Sequence, residues 1–207
     1  MSVPRTDAEM DVRKERFLPA FTVVELLVVI AVIIVLAGLL FPAFKGVQDQ
    51  SKRTQAKNDL TQIVTAVNAF YSEYGVYPVS GIADKTFGPG GSPATNESIL
   101  NALRGLDATL NPRQIVFLSP PDVKDKANPR SGIGTNPANA GQFFDPWGKN
   151  YVIRLDGDYD SAVSNPYGNN NGAGADPIRL GVIAWSLGAD GNLNLNFAGS
   201  DDVISWQ

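Results

Sequence analysis

The sequence predicts an α+β fold in which a long N-terminal helix packs against a small antiparallel β-sheet with long loops. Three observations favour this fold. Residues 21–74 carry helical signals along their length, and residues 151–155 and 178–185 have the composition of strands. Gly, Pro and Asn are plentiful after residue 75, as is typical of a domain rich in turns.

The predicted helix begins with an apolar segment. From Leu26 to Phe44 no side chain carries a charge or a polar hydrogen-bonding group, and a helix of that length spans the hydrocarbon core of a bilayer. Glu25 directly precedes this run, and an acid in that position needs an interface or a partner. A basic cluster within 13–16 lies before it. The positive-inside rule therefore places everything after Phe44 outside the cytoplasm.

An amphipathic helix is predicted to continue over residues 45–75. Its apolar residues recur at helical spacing and form one stripe that we expect to pack in the core. The stripe comprises Leu60, Ile63, Val64, Val67, Phe70, Tyr71 and Tyr74. Gly75 is a suitable residue to end the helix, and Pro78 prevents its continuation.

Residues 76–207 form a single predicted domain of short elements separated by loops. In order, they are a helix capped near Asn96, a buried strand at 115–118, a surface loop at 119–142, a turn at 144–148, a strand at 151–155, a Gly-rich loop at 165–176 and a strand at 178–185. Two strands joined by a long loop predict an antiparallel pair on the helix.

Composition excludes several classes of function. The net charge of −4 argues against a nucleic-acid-binding surface. The chain has no cysteine for disulfides, and no histidine for a His-based triad or the commonest zinc ligand. Gly-x-Ser-x-Gly, Ser-x-x-Lys and Walker motifs do not occur. We therefore predict that the protein is not an enzyme.

The segment AFTVVELL at 20–27, with its charged leader and apolar helix, resembles the class III (prepilin) signal of type IV pilins and type II secretion pseudopilins. The resemblance implies that a prepilin peptidase cleaves between Ala20 and Phe21, and that the new amino terminus of Phe21 is methylated. Glu25 would then pair with the amino terminus of a neighbouring subunit during filament assembly. The family prefers Gly where this chain has Ala20, and Ala is small enough to permit cleavage.

The resemblance also implies a division of the chain into segments. They are a leader at 1–20, a transmembrane and filament-core helix at 21–44, an amphipathic continuation at 45–75, and an exported domain at 76–207 with a C-terminal calcium-type loop at 186–206. Two other interpretations of the apolar segment stay open. One is an ordinary signal anchor. The other is a conventional secretory signal cleaved after the small-x-small sequence at 35–37.

Three downstream elements resemble the major pseudopilin of type II secretion. They read DPWG at 145–148, SLGADG at 186–191 and DDVISW at 201–206. The middle of the chain shows no such resemblance. The family fold this implies is pilin-like: a long helix, half in the membrane, carrying a small sheet.

In that group the final loop binds calcium, which takes six to eight oxygen ligands. Asp190, Asp201 and Asp202 supply three carboxylates here, and the resemblance implies that the carbonyl groups of Leu187 and Asn192 complete much of the shell. The loop between Asp190 and Asp201 is longer than is usual in the group. The alternative is a plain turn at Asp190 and a solvated acidic end.

A second acidic run, DGDYD at 156–160, imitates the start of an EF-hand loop. Ser161 stands where that loop needs Gly, and Tyr167 stands where it needs Glu. We predict a turn with solvated acids, with an auxiliary cation site as the alternative.

The resemblance implies a structural subunit of a type II secretion pseudopilus. Its partners would be further copies of itself, minor pseudopilins, the inner-membrane assembly platform with its ATPase, the prepilin peptidase and the inner membrane, with no nucleic acid. The chain would cross the bacterial inner membrane once, with its C-terminal domain in the periplasm. One alternative is a type IV pilin of a surface fibre for adhesion, motility or DNA uptake. A second is a membrane-anchored periplasmic binding module.

Overall fold

A computed structural model describes residues 22–79, 81–169 and 171–207, without the side chains of 39–45. The predicted leader at 1–20, Ala20 and Phe21 lie outside the described residues. The chain divides into an N-terminal unit that ends at Gly46 and a C-terminal unit that starts at Val47.

The described elements follow the predicted α+β plan. They are α1 (Val23–Tyr74), β1 (Lys85–Phe87), α2 (Glu97–Leu103), β2 (Gly132–Ile133), β3 (Phe143–Phe144), β4 (Val152–Leu155), β5 (Val182–Ser186), a short 3-10 helix (Phe197–Gly199) and β6 (Val203–Ile204). Four strands form an antiparallel sheet in the order β1-β4-β5-β6, and β2 pairs antiparallel with β3. The predicted pairing of the strands at 151–155 and 178–185 is confirmed, with Ile153 opposite Ala184.

The part of α1 in the N-terminal unit is apolar and exposed. Its Val, Leu and Ile side chains between Val23 and Leu36 are 48–80% exposed. Among the described side chains, no helix is at once long enough and apolar enough to cross a membrane. The predicted segment at 21–44 includes residues 39–44, whose side chains lie outside the description.

The part of α1 in the C-terminal unit carries the predicted core stripe. Leu60, Ile63, Val67 and Phe70 are fully buried, whereas Tyr71 is 40% exposed. The helix ends at Tyr74, and Gly75 follows with a φ of +70°, a conformation that glycine adopts without a steric penalty. The predicted helix end is therefore confirmed.

Both faces of the four-stranded sheet are buried. Side chains alternate along a strand, so one set packs against α1 and the other set packs on the opposite face. Facing the α1 core are Ile153, Leu155, Val182 and Ala184, and on the opposite face lie Val152, Ile183, Trp185 and Ile204. Residues of the chain between 163 and 178, including Tyr167, cover that opposite face. The predicted polar loop at 165–176 thus contributes to a second core.

The prediction of a strand at 115–118 is wrong. The amides of Phe117 and Leu118 both donate to the carbonyl of Leu103, at 2.9 and 3.2 Å. The segment packs against the end of α2 instead of pairing with a strand, and Val116 is 61% exposed. The predicted loop at 119–142 also needs correction, because it contains β2.

The predicted helix near Asn96 is confirmed, but Asn96 acts differently from a capping residue. Its buried side-chain amide donates to the carbonyls of Phe143 and Tyr151, at 3.0 and 2.9 Å, and its carbonyl oxygen accepts from the amide of Phe143. Asn96 therefore joins the start of α2 to the strands.

Candidate functional site

The C-terminal loop is closed by two paired strands. β5 ends at Ser186 and β6 starts at Val203, and these two residues lie opposite each other in the sheet. The chain between them must leave and return at the same point, so its two ends lie together. The predicted site residues Asp190, Asp201 and Asp202 occur at these ends.

The three carboxylates meet as the sequence predicts. Each offers one oxygen, and these oxygens lie within 4.8 Å of one another. Oxygens bound to one calcium ion at 2.3–2.6 Å are separated by about 5 Å at most, so the spacing fits a shared ion. Asp190 is exposed, Asp201 is half-buried and Asp202 is buried. The long loop between Asp190 and Asp201 does not prevent their approach.

Backbone amides hold the two ends of the loop together. The amides of Ala189 and Asp190 donate to Oδ2 of Asp201, at 2.5 and 3.2 Å. Gly188 makes this approach possible, because a Cβ there would lie 2.5 Å from Cγ of Asp201. Its φ of +63° is also in the left-handed region that favours glycine.

Only one of the two carboxylate oxygens of Asp202 accepts hydrogen bonds in the described structure. Oδ2 accepts from the hydroxyl of Tyr167 at 3.0 Å and from the amide of Asn194 at 3.3 Å. Oδ1 is buried and has no hydrogen-bond partner in the described structure. Burial raises the pKa of the Asp202 carboxyl above its ordinary value, and the charges of Asp201 and Asp190 act in the same direction. An unpartnered buried carboxylate oxygen is costly, and a cation at the site would satisfy it. The residues present therefore fit calcium.

The two residues predicted to offer carbonyl ligands, Leu187 and Asn192, make different hydrogen bonds. The carbonyl of Leu187 accepts from the amide of Gly191 at 3.1 Å, which leaves its second lone pair available. Asn192 contacts Asp190 as a donor, through its amide to Oδ1 at 2.8 Å and through its side chain to the backbone carbonyl of Asp190 at 3.2 Å.

Sequence reasoning missed two residues at this site. Asn194 bridges two of the acids, since its amide donates to Asp202 and its side chain donates to Oδ2 of Asp190 at 3.1 Å. Tyr167 reaches Asp202 from another loop. Bonds from Asn192 and Asn194 lower the pKa of Asp190. The asparagines at 192, 194 and 196 directly follow Asp190, so the sequence could have indicated that Asn194 lies at the site. Nothing in the sequence indicates that Tyr167 lies there.

The upstream turn at 145–148 is tied to the start of this loop. The hydroxyl of Ser186 donates to Oδ2 of Asp145 at 2.5 Å, and the amide of Gly188 donates to the Ser186 hydroxyl at 3.2 Å. The amides of Trp147 and Lys149 donate to Oδ1 of Asp145. Burial raises the pKa of the Asp145 carboxyl, and these bonds oppose the shift. Asp145 therefore fixes the point where β5 enters the loop.

The second acidic run forms a cluster with a distant residue. Asp84 joins Asp156 and Asp158, with one oxygen of each within 4.8 Å of the others. Asp156 is buried, and its two oxygens accept from the amides of Asp160 and Ser161. The turn is confirmed, but the prediction of solvated acids is wrong for Asp156. Its buried oxygens serve to fold the turn.

Glu25 lies in the first turn of α1 and forms a reciprocal cap with Thr22. The amide and the hydroxyl of Thr22 both donate to Oε2 of Glu25 at 2.8 Å, and the Glu25 amide donates to the Thr22 hydroxyl at 3.2 Å. This pattern is a capping box, which Thr-x-x-Glu signals in a sequence. Glu25 thus has a local role in starting the helix. The processing residues Ala20 and Phe21 lie outside the described residues.

Comparison with known proteins adds one similarity. Over 64 residues the chain is 41% identical to the type IV major pilin protein PilA of Myxococcus xanthus (strain DK1622). This chain resembles a type IV pilin. The match covers 30% of this chain and 29% of the length of that pilin. No protein-family model and no solved structure matches the chain. Together with the N-terminal helix and small antiparallel sheet, the similarity supports a pilin-like fold.

Proposed function

We propose that this chain is a non-catalytic, membrane-anchored subunit of a helical filament of the type IV pilin-like class. The observation that carries the proposal is the start of α1, where the Val, Leu and Ile side chains between Val23 and Leu36 are 48–80% exposed. A helix that is apolar all round is stable only when lipid or other helices cover it. The similarity to a type IV major pilin supports other copies of this chain as the cover in the filament.

Assembly in this proposal depends on the charge of Glu25. After cleavage between Ala20 and Phe21, each helix would leave the inner membrane and pack beside its neighbours. The amino group of a neighbouring Phe21 would then be neutralised by Glu25. The bonds from Thr22 use Oε2, so Oε1 is available to accept from that amino group. An assembly platform and an ATPase, separate from this chain, would supply the work.

Replacing Glu25 by Gln separates the two roles of the side chain. Gln can take the place of Glu in a capping box, so helix initiation survives in Glu25→Gln while the charge is lost. We expect the variant to accumulate in the membrane at normal levels and to form no filaments when sheared fractions are examined by electron microscopy. Glu97→Gln, which changes an exposed acid in the first turn of α2, is the matched control and should assemble normally. Normal filaments from Glu25→Gln would contradict the charge-pairing mechanism.

Two kinds of filament are candidates, and each has an observation in its favour. The acidic loop closed by Asp190, Asp201 and Asp202 favours a type II secretion pseudopilus with minor pseudopilins as partners. The similarity to a type IV major pilin favours a surface pilus. Deletion of the gene distinguishes them. Loss of protein secretion with surface fibres intact supports the pseudopilus, and the reverse supports the pilus.

Calcium is proposed as the ligand of the C-terminal loop. When bound, its two positive charges would offset most of the charge of the three carboxylates and hold the loop closed, as disulfides do in other exported domains. The unpartnered Oδ1 of Asp202 supports this assignment. We expect a chelator to lower the melting temperature of the full chain in detergent, and added calcium to restore it. Asp202→Asn should abolish the difference, whereas Asp158→Asn in the other acidic cluster should retain it. Identical melting with and without calcium would contradict the assignment.

A further inference from the structure

The most buried acid of the C-terminal loop is held by a residue from a different loop. Tyr167 lies in the 165–176 segment that covers the second face of the sheet, and its hydroxyl donates to Oδ2 of Asp202 at 3.0 Å. The two side chains are 1% and 3% exposed. Solvent therefore cannot replace this hydrogen bond, and the contact joins two parts of the chain that are 35 residues apart.

The hydrogen bond fixes the direction of the carboxylate. Oδ2 is held by Tyr167 and by the amide of Asn194, while Oδ1 is buried without a partner. Because one oxygen is tethered on two sides, the other is held in one position. Carboxylates that bind metal ions are commonly oriented by such hydrogen bonds on the oxygen or side facing away from the ion.

The ring of Tyr167 is held independently of its hydroxyl. Its backbone amide donates to Oδ1 of Asn165 at 3.0 Å. The ring makes an edge contact with Phe197, with centroids 5.3 Å apart, and a tilted contact with Trp206 at 6.2 Å. Removing the hydroxyl alone should therefore leave the ring in place, because these packing contacts remain.

We propose that Tyr167 is a positioning residue for Asp202 as a calcium ligand, and that calcium binding at the C-terminal loop thereby orders the 165–176 loop. This inference rests on the calcium site proposed above. The Asp202 carboxylate connects the calcium site with the 165–176 loop, because its two oxygens face these two partners. Oδ1 of Asp202 would hold the ion, and Oδ2 of the same carboxylate is hydrogen-bonded to the Tyr167 hydroxyl, so order at one group would favour order at the other. The Trp206 indole adds a second tie, since it donates to the carbonyl of Ala173 at 2.7 Å.

The test compares two tyrosine variants of the full chain in detergent. Tyr167→Phe removes the hydroxyl that reaches Asp202. Tyr151→Phe is the matched control, because Tyr151 is equally buried and its hydroxyl also donates to a carboxylate, Oδ2 of Asp59, at 2.8 Å. Calcium affinity is measured by calorimetric titration, and melting in chelator reports the general loss of stability.

We expect Tyr167→Phe to raise the calcium Kd about tenfold or more, the usual effect of losing a hydrogen bond that orients a ligand. Tyr151→Phe should keep the wild-type Kd. The second readout is hydrogen exchange. Calcium should slow exchange of the amides at 165, 167–169 and 171–176 in the wild type and in Tyr151→Phe, and it should leave their exchange rates unchanged in Tyr167→Phe.

Each contrary result has a distinct meaning. A Kd for Tyr167→Phe equal to that of the wild type overturns the positioning role and leaves the calcium site standing. Equal weakening in both variants also overturns it, because the effect would then come from general destabilisation. A wild-type chain that binds no calcium overturns this inference together with the proposed site.

Discussion

Gly188 is the residue on which closure of the C-terminal loop depends most directly. It has a φ of +63°, and a Cβ there would meet Cγ, Oδ2 and the backbone oxygen of Asp201 at 2.5–2.7 Å. An alanine must therefore strain the backbone and displace the acid at the same time. The position tolerates glycine alone for two separate reasons, conformation and space.

Gly188→Ala should accordingly destabilise the protein. A side chain forced into the left-handed region costs about 1–2 kcal/mol, which lowers the melting temperature of a chain of this size by roughly 2–8 °C. Gly199→Ala is the control from the same loop, since a Cβ at Gly199 meets nothing within 4 Å. Thermal melts of the two variants check the prediction. Equal melting of Gly188→Ala and the wild type would show that the loop is not closed as described.

Residues of the candidate site differ in how far the sequence could reveal them. Asp190 and Asp201 could be found because the short sequences that contain them resemble the calcium loop of a known family, and the pairing of β5 with β6 brings them together. Tyr167 and Asp84 could not be found. Their partners lie 35 residues away for Tyr167 and more than 70 for Asp84, and only the tertiary fold brings them close.

Among the elements, α1 and the start of β4 are joined by a half-buried acid, Asp59. Asp59 lies on α1 and accepts from the hydroxyl of Tyr151, which directly precedes β4. Burial raises the pKa of Asp59 above its ordinary value, and the charge of Asp145 adds to the shift. The charged form of Asp59 is therefore less stable in the folded chain than in the unfolded chain, where the pKa is about 3.9.

The raised pKa of Asp59 determines whether its contribution to the free energy of unfolding rises or falls with pH. The folded chain keeps the proton of Asp59 to a higher pH than the unfolded chain does. The contribution of the Asp59 carboxyl to the free energy of unfolding is therefore fully present below about pH 4, and it is lost as the pH rises through the raised pKa. Asp59→Asn keeps an acceptor for Tyr151 and removes the titration. We expect denaturant melts of the variant to show a flatter fall in unfolding free energy as the pH rises from about 4. Asp49→Asn, at an exposed acid on the same helix, should keep the wild-type slope; an unchanged slope in Asp59→Asn would refute the assignment.

The elements also show where periodicity is informative. The stripe on α1 and the alternation of β4 persist over enough residues to specify one buried face. The segment from Ile115 to Leu118 has the apolar composition of a strand. The amides of Phe117 and Leu118 instead donate to Leu103 at the end of α2, and the Ile115 backbone bonds to the side chain of Asn111. β2 spans only Gly132–Ile133, and its place is set by tertiary pairing, with β3 on one side and with Asp122 on the other.

At the scale of the whole molecule, the two units of the chain differ in how far their apolar side chains are buried. The C-terminal unit buries its own, on both faces of the sheet and along one face of α1. In the described part of the N-terminal unit, the Val, Leu and Ile side chains between Val23 and Leu36 are exposed. In the function proposed above, a bilayer and then a filament core would cover these exposed side chains in turn.

The measurement that tests the filament proposal most directly is the intact mass and N-terminal sequence of the protein extracted from its native membrane. Processing as a pilin-like subunit predicts a chain that begins at a methylated Phe21. A chain that begins at Met1 or Ser2 would contradict the proposal and indicate an ordinary anchored protein. A chain that begins at Gly38 would also contradict it, because conventional secretion would then have removed the apolar helix on which assembly depends.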